Sequence, residues 1–493
     1  MIIKTENDFL EEFRTDASNL HGNLEKVYIP ESIEEIRDVA LECWEKGTPL
    51  TPAGSKTGLT GACVPLEGAV ISYERLNKIV DIDEKKRIAI VEPGVKVFEL
   101  EAELNPLNLI YPTNPTEKNS SIGGNIATNA SGSRTFKYGQ TRDWCSKLQL
   151  NLINGDELQL KRNVEIIPKK GIRVKSKQGN EYAFKIPAIK MPNVKHSAGY
   201  YLNPFMDGLD LFIGSEGTLG LNKLITLNLL PKPEKVLGAI IFFDNESNLF
   251  DFVDYVRDTS KKNNLYEYNK ETGISARLIE YFDSNSICLL KEEYPQLPDN
   301  CTGAIWIEQE FSADNEDAIL SIWSETISKY SNLGDNTWIA LSDKEHQNFK
   351  EFRHALPLKV QEIITNRKQK KMYLDTAVPD KNIRTYYNFV KEKVNELKLD
   401  HVIFGHIGNS HLHSNVFVHN DEELLNAKQF MDICIQEAIN LGGTISAEHG
   451  VGKLKKDYLK LLYGLKAINE MIDIKRIFDP KMLLARNTLF DVQ

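Results

Sequence analysis

The 493-residue chain is 41% hydrophobic and 26% charged, an ordinary globular composition that excludes extended disorder and leaves room for two or three domains. A formal net charge of -10 speaks against a general nucleic-acid binder, and lysine-rich "KLKKDYLKLL" reads as a solvated helix face. The acidic start "MIIKTENDFLEEFRTDAS" lacks the basic-then-apolar order of a secretory signal, and no apolar run approaches the ~20 residues that span a bilayer. The expectation is a cytoplasmic protein, with peripheral attachment to a membrane left open. Six cysteines at 43, 63, 145, 288, 301 and 434 form no CxxC, so iron–sulfur or zinc-ribbon spacing is missing and free thiols are expected.

In chain order, "PESIEEIRDVALECWEKGTPL" predicts a helix with a Ser32/Glu35 capping box, a stripe of Ile33, Ile36, Ala40, Cys43 and Trp44, and a stop at Gly47. The runs "GAVISYERL", "KIVDIDEKKRIAIVEPGVKV" and "KLQLNLINGDELQLK" alternate between turn signals and predict strands and hairpins. The proline pair in "LNLLPKPEKVLG" marks a domain boundary near 235. Beyond it, strand-like "VLGAIIFF", "CTGAIWIEQEF" and "MYLDTAVP" each precede a helical segment, which predicts an antiparallel sheet with helices on one face, as in split βαβ folds.

Three glycine-bearing stretches stand in the first half: "PAGSKTGLTG", "SSIGGNIATNASG" and "GSEGTLG". Such loops let a phosphate lie against backbone N–H groups, although for each alone a plain turn is the better reading. Together they point to a nucleotide bound by neither GxGxxG nor a Walker loop, since both orders are missing.

Farther on, "GHIGNSHLHSNV" places His406, His411 and His413 around a Gly408-Asn409-Ser410 turn. On the strand that follows, His411, His413 and Asn415 share one face. Downstream, "GGTISAEHGVG" sets Glu448 beside His449. Two histidines and a carboxylate are able to make a divalent-metal site with open positions, but without an HExxH-type signature the spacing alone slightly favours a hydrogen-bonded buried cluster.

These motifs, with "PTNPTEKNSSIGGNIATNASGSRTFKYG", "LFIGSEGTLG" and "SAEHGVGK" in this order, resemble the vanillyl-alcohol-oxidase class of flavoproteins. Within it the chain is similar to the FAD-linked D-2-hydroxyacid dehydrogenase branch, which includes D-lactate dehydrogenase, the glycolate oxidase catalytic subunit and D-2-hydroxyglutarate dehydrogenase. The resemblance implies an α+β fold: a two-subdomain FAD-binding domain (1–235), a ferredoxin-like antiparallel-sheet substrate domain (236–420), and C-terminal helices (421–493) that close the active site and return to the first domain. It puts the FAD on Pro52, Gly54, Ser55, Lys56, Thr57, Gly58 and Gly61, on Pro112, Thr113, Ser121, Gly123, Gly124, Asn125, Thr128 and Ala130, and on Glu216, Gly217 and Thr218. Thr57 stands where covalent members carry a histidine, which implies dissociable FAD.

The resemblance also implies that His406, His413 and Glu448 hold a divalent metal, with zinc, manganese and iron all compatible. His411 replaces a common asparagine and is able to join or displace a ligand. Arg353, in "FKEFRHALP", matches the substrate arginine, and His449 is the expected base, imidazole titrating near the working pH. Tyr373 and Asn415 complete the substrate wall. Tyr373 replaces a lysine that holds a second carboxylate in the hydroxyglutarate branch, which favours D-lactate, although Lys370 and Lys371 lie close by.

Two departures from the branch stand out. Ala485-Arg486-Asn487-Thr488 replaces a common Asn-Pro-Gly-Lys, leaving flavin contacts there open, and the stretch from Arg162 to Val194 has the length to cover the site or bind a partner. The expected partners are a small 2-hydroxy acid and an external electron acceptor, a quinone, an electron-transferring flavoprotein or a cytochrome, with a homodimer left open. The other readings are a non-redox flavoenzyme of the alkylglycerone-phosphate-synthase kind, and an FAD-bearing electron-transfer subunit with little catalysis of its own.

Overall fold

The computed structural model describes residues 1–163, 166–167, 171–263, 273–367 and 372–491. Lys370 and Lys371 lie outside these residues, as do parts of the stretch after Arg162.

The first half builds two sheets. Ile2–Lys4, Lys26–Ile29, Ala69–Ser72 and Leu50–Ala53 form a four-stranded sheet whose last two pairings are parallel. Its helix, Glu35–Lys46, buries Ile36, Val39, Ala40 and Cys43 and stops at Gly47 in the left-handed conformation. The helix starts two residues later than the Ser32 box predicts, because the Glu35 carboxylate is drawn to the Glu31 N–H at 2.7 Å and the Met1 ammonium at 2.6 Å. A second sheet, in the order Ile79–Asp83, Ile88–Val91, Leu221–Asn228, Cys145–Asn151, Glu157–Lys161, is wholly antiparallel. Its strands alternate buried and half-exposed residues, most regularly from Leu221 to Asn228.

The second half contributes a seven-stranded antiparallel sheet in the order Trp338–Ala340, Lys235–Phe243, Gly303–Phe311, Ala276–Asp283, Asp400–Gly405, His411–Phe417, Met372–Ala377. On one face Ile241, Phe243, Ile279, Ile305 and Ile307 pack with Phe252, Val256, Ile319 and Trp323 of the helices Glu246–Lys262 and Glu316–Tyr330. The opposite face, which the sequence pattern left bare, is covered along part of its width by the helix Asp343–Asn366. Phe349, Phe352, Leu356 and Val360 of that helix meet Ile240, Phe242, Leu278, Phe282 and Trp306. The rest of this face carries the polar residues described below.

The described residues of the 162–194 stretch do not cover the central cleft. Tyr182 and Phe184 pack on Phe478 of the last helix, with ring centroids 5.5 and 6.2 Å away. The chain end returns to the first sheet: the Ala485 N–H donates to the Leu50 carbonyl at 2.9 Å, and Lys453 Nζ donates to Thr488 Oγ1 at 2.8 Å. None of the six cysteines is disulfide-bonded. Among the described residues no helix is long and apolar enough to cross a membrane.

The loop Gly450-Val451-Gly452 joins this returning segment to the first half, with the Lys453 and Leu454 N–H groups donating to the Thr60 carbonyl. Gly452 has φ +54°, and a Cβ there would lie 2.0 Å from the Thr60 oxygen. Gly452→Ala is therefore expected to destabilise the protein by more than about 1 kcal/mol, read as a lower urea midpoint at unchanged slope.

Candidate active site

A cleft of about 720 Å³ runs between the glycine loops and the polar part of the large sheet. Pro52, Gly54, Ser55, Lys56, Thr57 and Gly58 form one wall, and Ser121, Gly123, Gly124, Asn125, Thr128 and Ala130 a second. Gly54 is required by close approach, since a Cβ would meet Ser121 Oγ at 2.3 Å. That hydroxyl accepts from the Gly124 N–H at 3.2 Å and caps the helix Ile122–Thr128. Lys56 adopts a left-handed conformation, and its ammonium leaves the cleft for the Glu12 carbonyl at 2.8 Å.

Glu216 and Gly217 supply the third wall. The Glu216 carboxylate accepts from the Val451 and Gly452 N–H groups, both at 2.7 Å, and burial pushes its pKa up to about 7. Gly61, Pro112, Thr113 and Thr218 do not line the cleft; they shape its loops from behind. The Gly61 carbonyl accepts from Lys453, and Thr218 bonds Tyr200 and the Ser215 carbonyl, each at 2.7 Å.

At the other end of the cleft Arg353, Tyr373, His406, His413, Asn415, Glu448 and His449 all reach the wall. Antiparallel register sets Tyr373 opposite Asn415 and Asp375 opposite His413. A short helical turn, Ile407–Asn409, followed by Ser410 at φ +53° reverses the chain between His406 and His411. His406 thereby reaches the same place as His413, the turn its spacing demanded.

His406 donates from Nδ1 to Glu280, which leaves Nε2 facing Glu448 Oε2 at 3.4 Å. His413 Nε2 lies 3.2 Å from Glu448 Oε1. Metal–ligand bonds of about 2.0–2.2 Å put neighbouring donors about 3 Å apart, so this set fits a divalent cation, and Glu280 is the outer carboxylate that fixes the His406 tautomer. Burial brings the His413 pKa down to about 4, leaving the neutral imidazole that coordination needs. Donor atoms of His406, His411, His413 and Glu448 lie within 4.8 Å of one another. Both His411 nitrogens are nonetheless engaged, Nε2 with Asp375 at 3.0 Å and Nδ1 with Lys195 at 3.2 Å.

Asp375 is the hub of this end. It accepts from His411, from Ser446 Oγ at 2.8 Å, and from the His449 N–H and Lys455 Nζ at 3.1 Å. Its second oxygen also lies 3.3 Å from His449 Nδ1. Burial opposes its charge, but His449 and Lys455 hold its carboxyl well below the usual range. Glu448, opposed by burial in the same way, is held down by Lys195, 2.7 Å away, and by His406. Glu280, between His406 and Arg353 Nε at 2.9 Å, is held at about 2 despite its burial.

Asp375, Glu280, Lys195 and Lys455 were not singled out by the motifs. Glu280 and Asp375 each left one trace, a carboxylate in the interior of a largely apolar strand, in "ARLIEYFD" and "MYLDTAVP". A flavin has its own trace in the walls: Asn125 lines the cleft with a buried Nδ2 that has no hydrogen-bond partner. With the glycine approach at Gly54, the residues present fit the cofactor.

Family models match both halves of the chain. A FAD binding domain model matches residues 25–161, and the C-terminal domain model of FAD linked oxidases matches 263–489. A D-lactate dehydrogenase of Anaerostipes hadrus is 30% identical across 96% of this chain and 91% of its own length. The chain belongs to the FAD-linked oxidases. Glycolate oxidase subunit GlcD of Bacillus subtilis is 28% identical over 94% of the chain and 88% of its own length. A D-2-hydroxyglutarate dehydrogenase of Stutzerimonas stutzeri is 25% identical over 94% and 90%. These relatives place the chain in the D-2-hydroxyacid dehydrogenase branch, and it is an FAD-dependent oxidoreductase. Among solved structures, an alkyldihydroxyacetonephosphate synthase superposes with a TM-score of 0.67 over 98% of this chain and 82% of its own, at 16% identity, a likeness of fold.

In this FAD-linked oxidase, Asp375→Asn removes the charge that orients His411 and His449. Turnover is expected to fall by about 100-fold or more with flavin content unchanged, measured by steady-state assay beside the flavin absorbance per chain.

Proposed function

We propose that this chain oxidises a D-2-hydroxy acid of D-lactate type to the 2-oxo acid, with residues 1–235 binding FAD and residues 236–420 presenting the acid. The observation that carries the reading is His449, placed between the carboxylates of buried Asp375 and half-buried Glu448 at the cleft wall. Its Nδ1 faces Asp375 and its Nε2 lies 3.4 Å from Glu448. With a proton on Nδ1, on the side of the Asp375 charge, Nε2 is the atom that takes the hydroxyl proton.

Arg353 receives the substrate carboxylate, a task suited to a guanidinium fork. Glu280 holds it in place through Nε, and the Phe404 ring lies 5.0 Å from its guanidinium carbon. Tyr373 and Asn415 bound the small group on the substrate's second carbon, and a phenol in place of a lysine favours a short monocarboxylate. Buried Leu356 and Phe352 on the Arg353 helix keep that helix seated on the sheet. FAD along the glycine loops would supply the two-electron oxidising capacity that no side chain here possesses. A divalent ion on His406, His413 and Glu448 would supply Lewis acidity toward the hydroxyl. Thr57 offers no imidazole for a covalent link, so the flavin is dissociable, and an external quinone, electron-transferring flavoprotein or cytochrome takes the electrons.

The test is an anaerobic visible spectrum of the purified protein with D-lactate, then glycolate and D-2-hydroxyglutarate, with and without prior EDTA. The flavin band is expected to bleach with D-lactate and to persist after chelation. A yellow protein that no hydroxy acid bleaches would exclude this reading and favour non-redox use of the flavin. His449→Gln is expected to slow the bleaching by about 100-fold or more while the band itself remains.

A further inference from the structure

Beside the cleft lies a second cavity of about 410 Å³, within the range of small-ligand sites. Its lining is unusually basic. Lys350 and His354 come from the helix that carries Arg353, Arg134 from the loop after the second glycine stretch, Lys118 from the turn before it, and Lys232 from the proline-rich boundary. On that helix Lys350, Arg353 and His354 are three and four residues apart, so they share a face.

The carboxylates in the same wall are already committed. Glu101 accepts from Lys118 at 2.6 Å, and Glu280 is taken by Arg353 and His406. Glu308 is bonded by Arg277, with an ion-pair separation of 2.6 Å, and His346 lies 3.2 Å from its other oxygen. Arg134 Nε lies 3.9 Å from Glu308, and this buried nitrogen has no hydrogen-bond partner. Lys350 makes no ion pair or hydrogen bond among the described residues. Lys350 therefore faces the chamber without an ion pair, and Arg134, from a separate segment, faces it with only the 3.9 Å contact to a Glu308 that Arg277 already holds. Burial pulls both below their ordinary pKa values; repulsion from Arg134 adds to this at Lys350, and repulsion from Arg277 adds to it at Arg134. Elsewhere in the protein, buried charges carry their partners, as the Lys137 ammonium does at 2.8 Å from Glu310.

We propose that this chamber is an anion site that takes a carboxylate or phosphate group on Arg134 and Lys350. The chamber and the cleft share Pro115, Thr116, Arg353, His354 and His406 as a common wall. The anionic group has two sources: the distal acid of a 2-hydroxy acid longer than lactate, whose head lies on Arg353, or a separate small anion. The first source rests on the proposed oxidation; the second does not.

The test uses FAD-loaded protein at about 0.15 M salt, where long-range effects of surface charge are screened. Inorganic phosphate and glutarate are titrated calorimetrically into the wild type and into Lys350→Glu and Lys350→Gln. Flavin content and thermal midpoint show that each variant is folded. The expected result is binding to the wild type in the millimolar range or tighter, weakened about tenfold or more by Lys350→Glu, with kcat and KM for D-lactate unchanged. A KM for D-2-hydroxyglutarate that rises in the variant at constant kcat identifies the distal acid as the source. Phosphate binding without any oxidation of D-2-hydroxyglutarate identifies a separate anion. Lack of binding by either anion up to about 10 mM, or equal affinity in wild type and both variants, overturns the proposal. Because the titration does not depend on turnover, a protein that oxidises no acid yet binds phosphate through Lys350 would sink the proposed reaction and keep the chamber.

Discussion

Three carboxylates, Glu280, Asp375 and Glu448, sit where the large sheet meets the first half of the chain, and their charge must be neutralised out of water. An unpaired buried carboxylate costs several kcal/mol, so each recruits its own cations and imidazoles. Glu280 draws Arg353 and His406, Asp375 draws Lys455, His411 and His449, and Glu448 draws Lys195 and His413. These pairings fix the orientation of every imidazole in the cluster. A histidine held by a carboxylate on one nitrogen has the other aimed, and this turns a group of buried histidines into a site.

Sheet order makes the pairings reachable. The strand Ala276–Asp283 lies between Gly303–Phe311 and Asp400–Gly405, so Glu280 reaches His406 across 126 positions of sequence. One face of the sheet is thus divided. Where the helix Asp343–Asn366 covers it, aromatic and aliphatic side chains fill it; where the helix ends its cover, carboxylates and histidines face the glycine loops. Arg353 stands at the edge between the two regions, anchored from the apolar side and charged toward the polar one.

Much of this was legible locally. The hairpins Ile79–Val91 and Cys145–Lys161 follow from alternation and turn residues, and the His406 turn follows from the impossibility of bringing His406 and His413 together on a single helix or strand. The helix start at Ser32 was misread because Met1 and Glu31, both outside the helix, compete for Glu35. Lys195 and Asp375 escaped for a related reason. Charge compensation is set by neighbours from 36 to 253 positions away, and "NVKHSAG" carries no period, cap or spacing that announces a partner at Glu448. Gly61 and Thr218 match flavin motifs, but their carbonyls serve Lys453 and Lys475, a role that depends on where the tail folds back.

That fold-back has a consequence for the order in which the protein assembles. Lys453 reaches the Gly61 carbonyl across 392 positions, and Glu216 waits for the N–H groups of Val451 and Gly452 before its carboxylate has donors. During synthesis the glycine loops emerge early, with two of their bracing contacts still to be made. Contacts of such separation carry a large loop-closure cost and form late. The cleft is therefore a product of the finished chain, and a nascent chain halted before Gly450 would present the loops without the segment that locks them.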